Sequence, residues 1–566
     1  MKKISFCFLL PLLVVCMGTG CDKKPVSLTA SPPLSTEKSQ EPTQPIVESP
    51  IRFTDVARKS GLAFRWSHQG KTPLTILETA GCGGAFLDYD GDGWLDIFLV
   101  GQPQCALYRN KQDGTFEDVT QQAGITTEGY FMGVAVGDVD NDGRPDVFVT
   151  GYGKNVFYRN RGGKFTDETQ SAGLSATGPY AWSTSATFTD LNNDGFLDVA
   201  IGHYVTFTPD TLQTCDFSGV QASCPPFYYE KQFLRVLQGN GKGGFQEATK
   251  AWGMDKGHGY NLGVAATDYD GDGWQDLYVA NDGLPADLWR NRGGRSFQNV
   301  GELTGTSYND EGSTQAGMGV DWGDYDNDSL PDLVVTTFQD EPKALYHNEG
   351  GGLFRFTSYQ AGIGNATLNR LGFGVVLEDL DGDGWRDLVT ANGHVQDTVE
   401  KYRAPAAYKQ TLQCFHNQQG RFTEVTEGAG TAFSEKIVGR GIAVGDYDND
   451  GRPDLLIINL EGFPLLLHNE SSPQSWIGVR VVPKTGNRDG IGTKITVKSD
   501  SLTQTREVQT GRSYLSASDT RQIFGLGNAN QVSEVRVRWN SGKTELFSVK
   551  TVNQWVTLTE GTGVTP

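Results

Sequence analysis

Seven stretches of this chain place oxygen-bearing side chains at positions 1, 3, 5 and 9 of a nine-residue pattern, Asp-x-Asp/Asn-x-Asp-Gly-x-x-Asp. Several oxygens converging from a short, sharply turned backbone are what a hard cation requires, and Ca2+ above all. The first stretch offers Asp88, Asp90, Asp92 and Asp96, with the backbone carbonyl of Trp94 at position 7 as a further ligand. The second offers Asp138, Asp140, Asp142, Asp146 and Arg144 O; the third Asp190, Asn192, Asp194, Asp198 and Phe196 O; the fourth Asp268, Asp270, Asp272, Asp276 and Trp274 O. The last three offer Asp324, Asp326, Asp328, Asp332 and Leu330 O; Asp379, Asp381, Asp383, Asp387 and Trp385 O; and Asp446, Asp448, Asp450, Asp454 and Arg452 O. Up to seven structural Ca2+ ions are expected. Each loop carries four carboxylates except the third, where Asn192 replaces one, so 27 of the 68 acidic residues belong to loops. That exceeds the whole net charge of −20, which is therefore local chemistry and not the signature of a disordered acidic tail. No basic stripe argues for nucleic acid.

The elements that hold these loops are strands. An EF-hand would place Glu at position 12 between two helices; here position 12 is Leu99, Val149, Ile201, Val279, Val335, Thr390 or Ile457, inside short apolar runs such as Ile97-Phe98-Leu99-Val100. Such runs read as buried strands, so each loop is a hairpin connection. Positions 4 and 6 must turn the chain, and they are Gly or Asn throughout except at Ser329, where strain of about 1–3 kcal/mol is expected. The Asp324 loop is thus expected to bind most weakly.

Each loop is followed by apolar-x-x-Asn, as Leu107–Asn110, Phe157–Asn160, Leu237–Asn240, Leu288–Asn291, Leu345–Asn348, Cys414–Asn417 and Leu466–Asn469, then in six units by a Gly turn and a strand opening with Phe. One unit is therefore four strands, recurring at the spacing of propeller blades. The seventh unit lacks its last strand, and Phe53-Thr54-Asp55-Val56 near the N-terminus matches Phe116-Glu117-Asp118-Val119. An all-β fold follows: a seven-bladed β-propeller over residues 51–475, closed by its N-terminal strand, with insertions at about 203–232 and 392–412. Residues 476–562 read as a separate small β domain.

These repeats resemble FG-GAP/VCBS repeats of the integrin-α type. The motifs Asn487-Arg488-Asp489-Gly490-Ile491-Gly492-Thr493, Gly511-Arg512-Ser513-Tyr514-Leu515-Ser516, Phe524-Gly525-Leu526-Gly527 and Val537-Arg538-Trp539-Asn540-Ser541-Gly542 resemble the ASPIC/UnbV domain that ends the bacterial arrangement, as among relatives of cartilage acidic protein. The resemblance implies calcium at the Asp positions above and an exported protein.

The N-terminus reads as a targeting segment. Lys2-Lys3 precede an apolar stretch to Met17, and Gly18-Thr19-Gly20 lead to Cys21. This resembles a lipoprotein signal over residues 1–20, with Gly18 where Leu is usual and Cys21 as the lipidated residue, followed by a Pro/Ser/Thr-rich tether over 21–50. A lipid anchor at the bacterial cell envelope is expected, a secreted or periplasmic protein being the alternative. Export permits disulfides: Cys215 and Cys224 are the best-placed pair, Cys82 and Cys105 a second possibility, and Cys414 is expected as a buried free thiol.

No catalytic motif is present, neither His-Glu-x-x-His nor Gly-x-Ser-x-Gly. His347, His416 and His468 recur at one position of the repeat. His203 and His394, which open the two insertions, together with His68 and Glu78, are the residues to examine for a ligand site. The expected function is a calcium-stabilised binding or adhesion module, monomeric, recognising a protein or glycan. The alternative is an enzyme acting on polysaccharide at the central mouth of the propeller.

Overall fold

The computed structural model describes residues 49–66, 70–499 and 502–566. The expected signal segment, Cys21, nearly all of the tether and His68 lie outside the described residues. Among the described residues no helix is long and apolar enough to cross a membrane.

The fold is all-β. Residues 53–469 form seven repeat sheets, whose repeat-derived strands are antiparallel meanders of four, and two two-stranded ribbons within the first insertion. In the first, the inner strand Gly84–Leu87 enters the Asp88 loop and returns as Asp96–Leu99, then Ala106–Asn110, then Phe116–Asp118 at the outer edge. The second to sixth sheets repeat this order, with inner strands Tyr130–Gly137, Ser183–Thr189, Asn261–Thr267, Val320–Gly323 and Gly372–Glu378. The seventh runs Gly439–Gly445, Asp454–Asn459 and Leu465–Asn469, and its outer strand is Phe53–Asp55, paired with Phe53 opposite Asn469. The N-terminal strand thus completes the last sheet, as its sequence indicates.

Each inner strand lies beside that of the next sheet, and Gly439–Gly445 lies beside Gly84–Leu87, so the last sheet returns to the first. The approach is close enough to demand glycine: a Cβ on Gly319 would stand 2.0 Å from Phe373 O of the following sheet. Apolar clusters fill the space between sheets, as where Val334 and Leu345 of the fifth meet Val375, Leu377 and Leu388 of the sixth, all fully buried. Each such side chain contributes about 1.5–3 kcal/mol by leaving water.

The third sheet corrects the sequence register by one residue. Leu237 pairs with Val199, the place held by Tyr108 opposite Ile97 in the first sheet. Gly239, not Asn240, therefore takes the repeat-Asn position, and its amide donates to Asp198 Oδ1 at 2.9 Å.

The C-terminal residues build a three-stranded sheet, in which Ser475–Val482 lies between Gln522–Gly527 and Gln554–Thr559, and a four-stranded sheet from Thr503–Glu507, Lys494–Lys498, Glu534–Arg538 and Thr544–Phe547. A shared core that includes Ile477, Val479, Ile495, Val497, Phe524, Val535 and Trp539 joins them. From this domain a hairpin, 511–517, runs into the centre of the repeat sheets. Ala517 pairs in parallel with Ala85, and Leu515 O accepts from Val134 N at 3.0 Å. Leu515 N donates to Ser185 Oγ, Ser513 exchanges backbone bonds with Val320, and Ser513 Oγ accepts from Val375 N. A Cβ on Gly83 would stand 1.7 Å from Leu515 O, so that position too must be glycine.

At the far end the Tyr514 hydroxyl donates to Ala80 O of the short helix Ile76–Ala80. Around it Met132, Trp182, Leu262, Met318, Leu371 and Phe373 form a buried apolar cluster. The centre expected as the mouth of an active site on the alternative reading is therefore filled by side chains and by the hairpin.

The two insertions meet above this cluster. Gln396 Nε2 donates to Ser223 O at 2.9 Å, Thr398 Oγ1 donates to Gln221 O at 2.8 Å, and Phe217 stacks on Tyr402 at 5.2 Å. Cys215 and Cys224 form a disulfide within the first insertion. Cys82, Cys105 and Cys414 are free and buried, so the second pairing is not made.

Candidate metal centre

Each acidic loop is shaped by its own carboxylates. In the first, Asp88 Oδ1 accepts from Gly91 N and Asp92 N while Oδ2 accepts from Gly93 N, and Asp92 Oδ1 accepts from Trp94 N. Asp96 closes the hairpin by accepting from Tyr89 N and Asn110 N. The turn demands left-handed backbone at positions 4 and 6, and φ there is 77° at Gly91 and 88° at Gly93. Asn141, Asn193, Asn327 and Asn449 take position 4 in the other manner, at 52–58°, and Ser329 is held at 73° without glycine's freedom.

These Asn side chains do a second thing that local sequence does not reveal. Asn141 Nδ2 donates to Gly195 O, Asn193 to Gly273 O, Asn327 to Gly384 O and Asn449 to Gly93 O, at 3.0–3.2 Å. Each reaches position 6 of the following loop, and the last returns to the first. The repeat Asn residues reach the other way: Asn160 Nδ2 donates to Tyr89 O, Asn348 to Tyr269 O and Asn469 to Leu380 O.

The donors left over fit a cation. Asp88, Asp90 and Asp96 bring carboxylate oxygens within 4.8 Å of one another, and Asp138, Asp140 and Asp146 do the same. Asp90 Oδ1, Asp140 Oδ1, Asp268 Oδ1, Asp326 Oδ1 and Asp448 Oδ1 are buried and accept no hydrogen bond. A buried, unpaired carboxylate oxygen is costly, and its position in five loops marks a place for positive charge. Burial foremost, with the neighbouring Asp88 and Asp90, raises Asp96 to about 8; burial likewise raises Asp146 and Asp379 to about 8 and Asp138 to about 7. Without an ion these groups resist ionising together.

The residue before each repeat Asn, or before Gly239 in the third sheet, reaches across to its own loop. Arg109 Nε lies 2.7 Å from Asp90 Oδ2, Arg159 Nη1 2.6 Å from Asp140 Oδ2 and Arg290 Nη2 2.6 Å from Asp270 Oδ2. Gln238 fills this role toward Asp194 in the third sheet. In the last three sheets the residue is His347, His416 or His468. The sequence shows these histidines as a repeat position, but not that the position faces the loop.

The C-terminal domain sits on the same loops. Asp138 N donates to Asp489 Oδ2, Lys494 Nζ lies 3.0 Å from Asp268 Oδ2, Gly525 N donates to Asp379 Oδ2 and Arg521 Nη1 donates to Asn449 Oδ1. Below them Arg506 and Arg512 meet Glu378. Burial opposes the Glu378 charge, but Arg506, Arg386 and Arg512 outweigh it and hold the carboxyl at about 2.

The other residues singled out in the sequence do not assemble. Glu78 caps the helix Ile76–Ala80, its Oε2 accepting from Thr75 N and Oγ1. His203 contacts Ser183 Oγ at 3.2 Å, and burial lowers it to about 4. His394 accepts from Gln396 N at 3.0 Å, and burial lowers it to about 3. Both imidazoles are neutral in ordinary buffers, and neither contacts the other. His203 does line an open cavity of about 550 Å³ with Tyr180, Phe233, Arg235 and Glu247.

Four-stranded sheets, each folded about an acidic nine-residue hairpin and recurring seven times, define an all-β repeat protein. The chain belongs to the FG-GAP-like repeat family, whose model matches residues 88–149, 138–201, 268–335, 324–390 and 404–457, and it carries an ASPIC and UnbV domain at 483–565. It is similar to cartilage acidic protein 1 of Mus musculus, 27% identical over 353 residues covering 50% of this chain and 52% of that protein, and of Homo sapiens, 26% identical over 347 residues covering half of each. The chain thus spans about half the length of the curated relatives it matches. Among solved structures it is similar to an Agrocybe aegerita lectin described as recognising non-reducing terminal N-acetylglucosamine, at 16% identity and a TM-score of 0.39, covering 67% of this chain and 86% of that one.

Proposed function

We propose that this chain is an exported, calcium-stabilised, seven-bladed β-propeller that binds a protein or glycan at the cell envelope. Calcium is the ion the loops suit: all-oxygen donors from positions 1, 3, 5 and 9, with position 7 offering a carbonyl. The buried carboxylate oxygens without partners are the observation that carries this part of the reading. Up to seven ions would hold the hairpins and, through Asn141, Asn193, Asn327 and Asn449, each loop's neighbour. The N-terminal segment supports export and a lipid anchor at Cys21.

Binding is assigned to the face bearing the insertions, because the loop face is covered by the C-terminal domain. On the insertion face Tyr180 is 41% exposed and Phe233 45% exposed beside Arg235 and Glu247, and the first insertion exposes Phe227. Exposed aromatics beside paired charges are a surface suited to recognition. Catalysis at the propeller centre is not favoured, because that centre is packed. Glycan-array and pull-down binding with the full chain test the reading. Saturable binding that Tyr180→Ala and Phe233→Ala weaken at least tenfold is expected; no saturable partner in either assay would sink it.

A further inference from the structure

The C-terminal domain seats closely on three of the acidic loops and stands off from two. Beside Asp324 and Lys494 the gap between domain and fifth loop is about 30 Å³, beside Asp446 and Gln522 at the seventh about 20 Å³, and beside Asp381 and Trp476 at the sixth about 40 Å³. Each has room for a few waters at most. Over the first and second loops the same domain leaves an open cavity of about 550 Å³, between Gly91 and Gly143 of the loops and Arg480, Thr520 and Thr557 of the domain. That is the size of a small-molecule site. We propose that this cavity binds a small sugar acid, its carboxylate held by Arg480 and its hydroxyls by Thr520 and Thr557. The site is separate from the insertion face, and its ligand is independent of the partner assigned there.

The walls are fixed, and every charged group in them but one is engaged. Asp489 Oδ2 accepts from Asp138 N at 2.6 Å, and Asp88 accepts from the amides of Gly91, Asp92 and Gly93. Arg521 pairs with Asp519 at 2.7 Å, donates to Asn449 Oδ1 and Asp446 O, and lies 4.4 Å over the Trp555 ring. That ring rests against Gly478, where a Cβ would stand 2.3 Å from it. Arg480, on the strand Ser475–Val482, is the exception. It is exposed, and among the described residues its side chain makes no hydrogen bond or ion pair. The Thr520 and Thr557 hydroxyls likewise make none.

These free groups define the ligand. A guanidinium presents a planar fork of N–H donors that matches a carboxylate in two parallel bonds. A hydroxyl both donates and accepts, as a sugar hydroxyl requires of its partner. Pro145 and Val556 add apolar surface for the carbons of the ring. A neutral sugar lacks the ionic contact and a bare carboxylate lacks the hydroxyl contacts, so each should bind more weakly than the acid that has both.

The test uses the full chain in the presence of Ca2+ and calorimetric titration with glucuronate and galacturonate. Glucose and galactose serve as neutral counterparts, and acetate as the bare carboxylate. One equivalent of uronate should bind saturably, with the neutral sugars and acetate weaker by roughly tenfold or more. Arg480→Gln should bring uronate down to the level of the neutral sugar, while Phe233→Ala, on the insertion face, should leave it unchanged. The Arg480 side chain holds nothing else in place, so the variant should melt with the unmodified chain. Thr557→Val, nearly isosteric, gives a second reading and should weaken uronate and neutral sugar alike. No saturable uronate binding, equal affinity for acetate or for the neutral sugars, or binding that Phe233→Ala removes and Arg480→Gln does not, would each overturn the proposal.

Discussion

The side-chain amide of Asn110 donates to the Tyr447 carbonyl at 2.8 Å, tying the first repeat sheet to the seventh across 337 residues of chain. The same amide also donates to Leu95 O of its own loop. Asn291 with Leu191 O and Asn417 with Tyr325 O make the same junction elsewhere, at 2.7 Å each. Neighbouring sheets are thus joined at their acidic loops as well as through apolar contacts.

Asn110→Ala removes three side-chain hydrogen bonds, two donated to the carbonyls of Leu95 and Tyr447 and one accepted from Gln112 N, and leaves buried carbonyls without their donor, a loss of about 1–3 kcal/mol. Asn240→Ala removes a residue that caps its own turn, accepting from Lys242 N and Gly244 N, and joins no other sheet. It should cost about 0.5 kcal/mol or less. Denaturant midpoints of the two variants check the difference, and equal losses would contradict the junction.

Ser329 carries the one non-glycine left-handed backbone at position 6, with φ of 73°. Ser329→Gly should relieve about 1 kcal/mol of strain and raise the calcium affinity of the Asp324 loop. In the same comparison Asp270→Ala should cost more than Asp326→Ala. Calcium titration by calorimetry reads both.

Arg512 enters between sheets with Glu378 3.2 Å and Asp321 3.6 Å away, all three buried. Arg512→Ala leaves two buried carboxylates short of a counter-charge and should destabilise by roughly 3–5 kcal/mol. A loss under about 1 kcal/mol would mean that the hairpin does not fasten the centre.

Lys343 is fully buried, its Nζ donating to Thr337 O at 2.9 Å and Arg370 O at 2.6 Å. Burial lowers it to about 7, with Glu341 opposing and Arg370 adding to the effect. The folded state therefore binds fewer protons than the unfolded state between pH 7 and the ordinary lysine range, and stability should rise with pH through that window. Lys343→Met should flatten the rise. Melting temperatures at pH 6 and pH 9 for both proteins check the sign.

The parts of this fold legible in the sequence are those written locally and repeated. Asp88 to Asp96 carries its own turn chemistry in nine residues, and Phe53–Asp55 could be placed because it copies Phe116–Asp118. The register of the third sheet is not legible in the same way, because apolar-x-x-Asn marks the strand, while register is set by which amide, here that of Gly239, meets Asp198. The hairpin 511–517 was visible only as a motif, since its contacts with Val134, Ser185, Val320 and Val375 are long-range. The approach of Arg109 to Asp90 and of His416 to Asp381 depends on side-chain direction across neighbouring strands, which residue spacing does not encode.

The central claim is that metal held by the acidic loops keeps the repeat sheets folded. An ion that binds only the folded chain must stabilise it by mass action. The melting temperature of the full chain, measured after removal of metal and again on adding back Ca2+, tests this directly. A fall of ten degrees or more in chelator, fully recovered with Ca2+, is the predicted result; a melt unchanged by chelator and by added Ca2+ would contradict it.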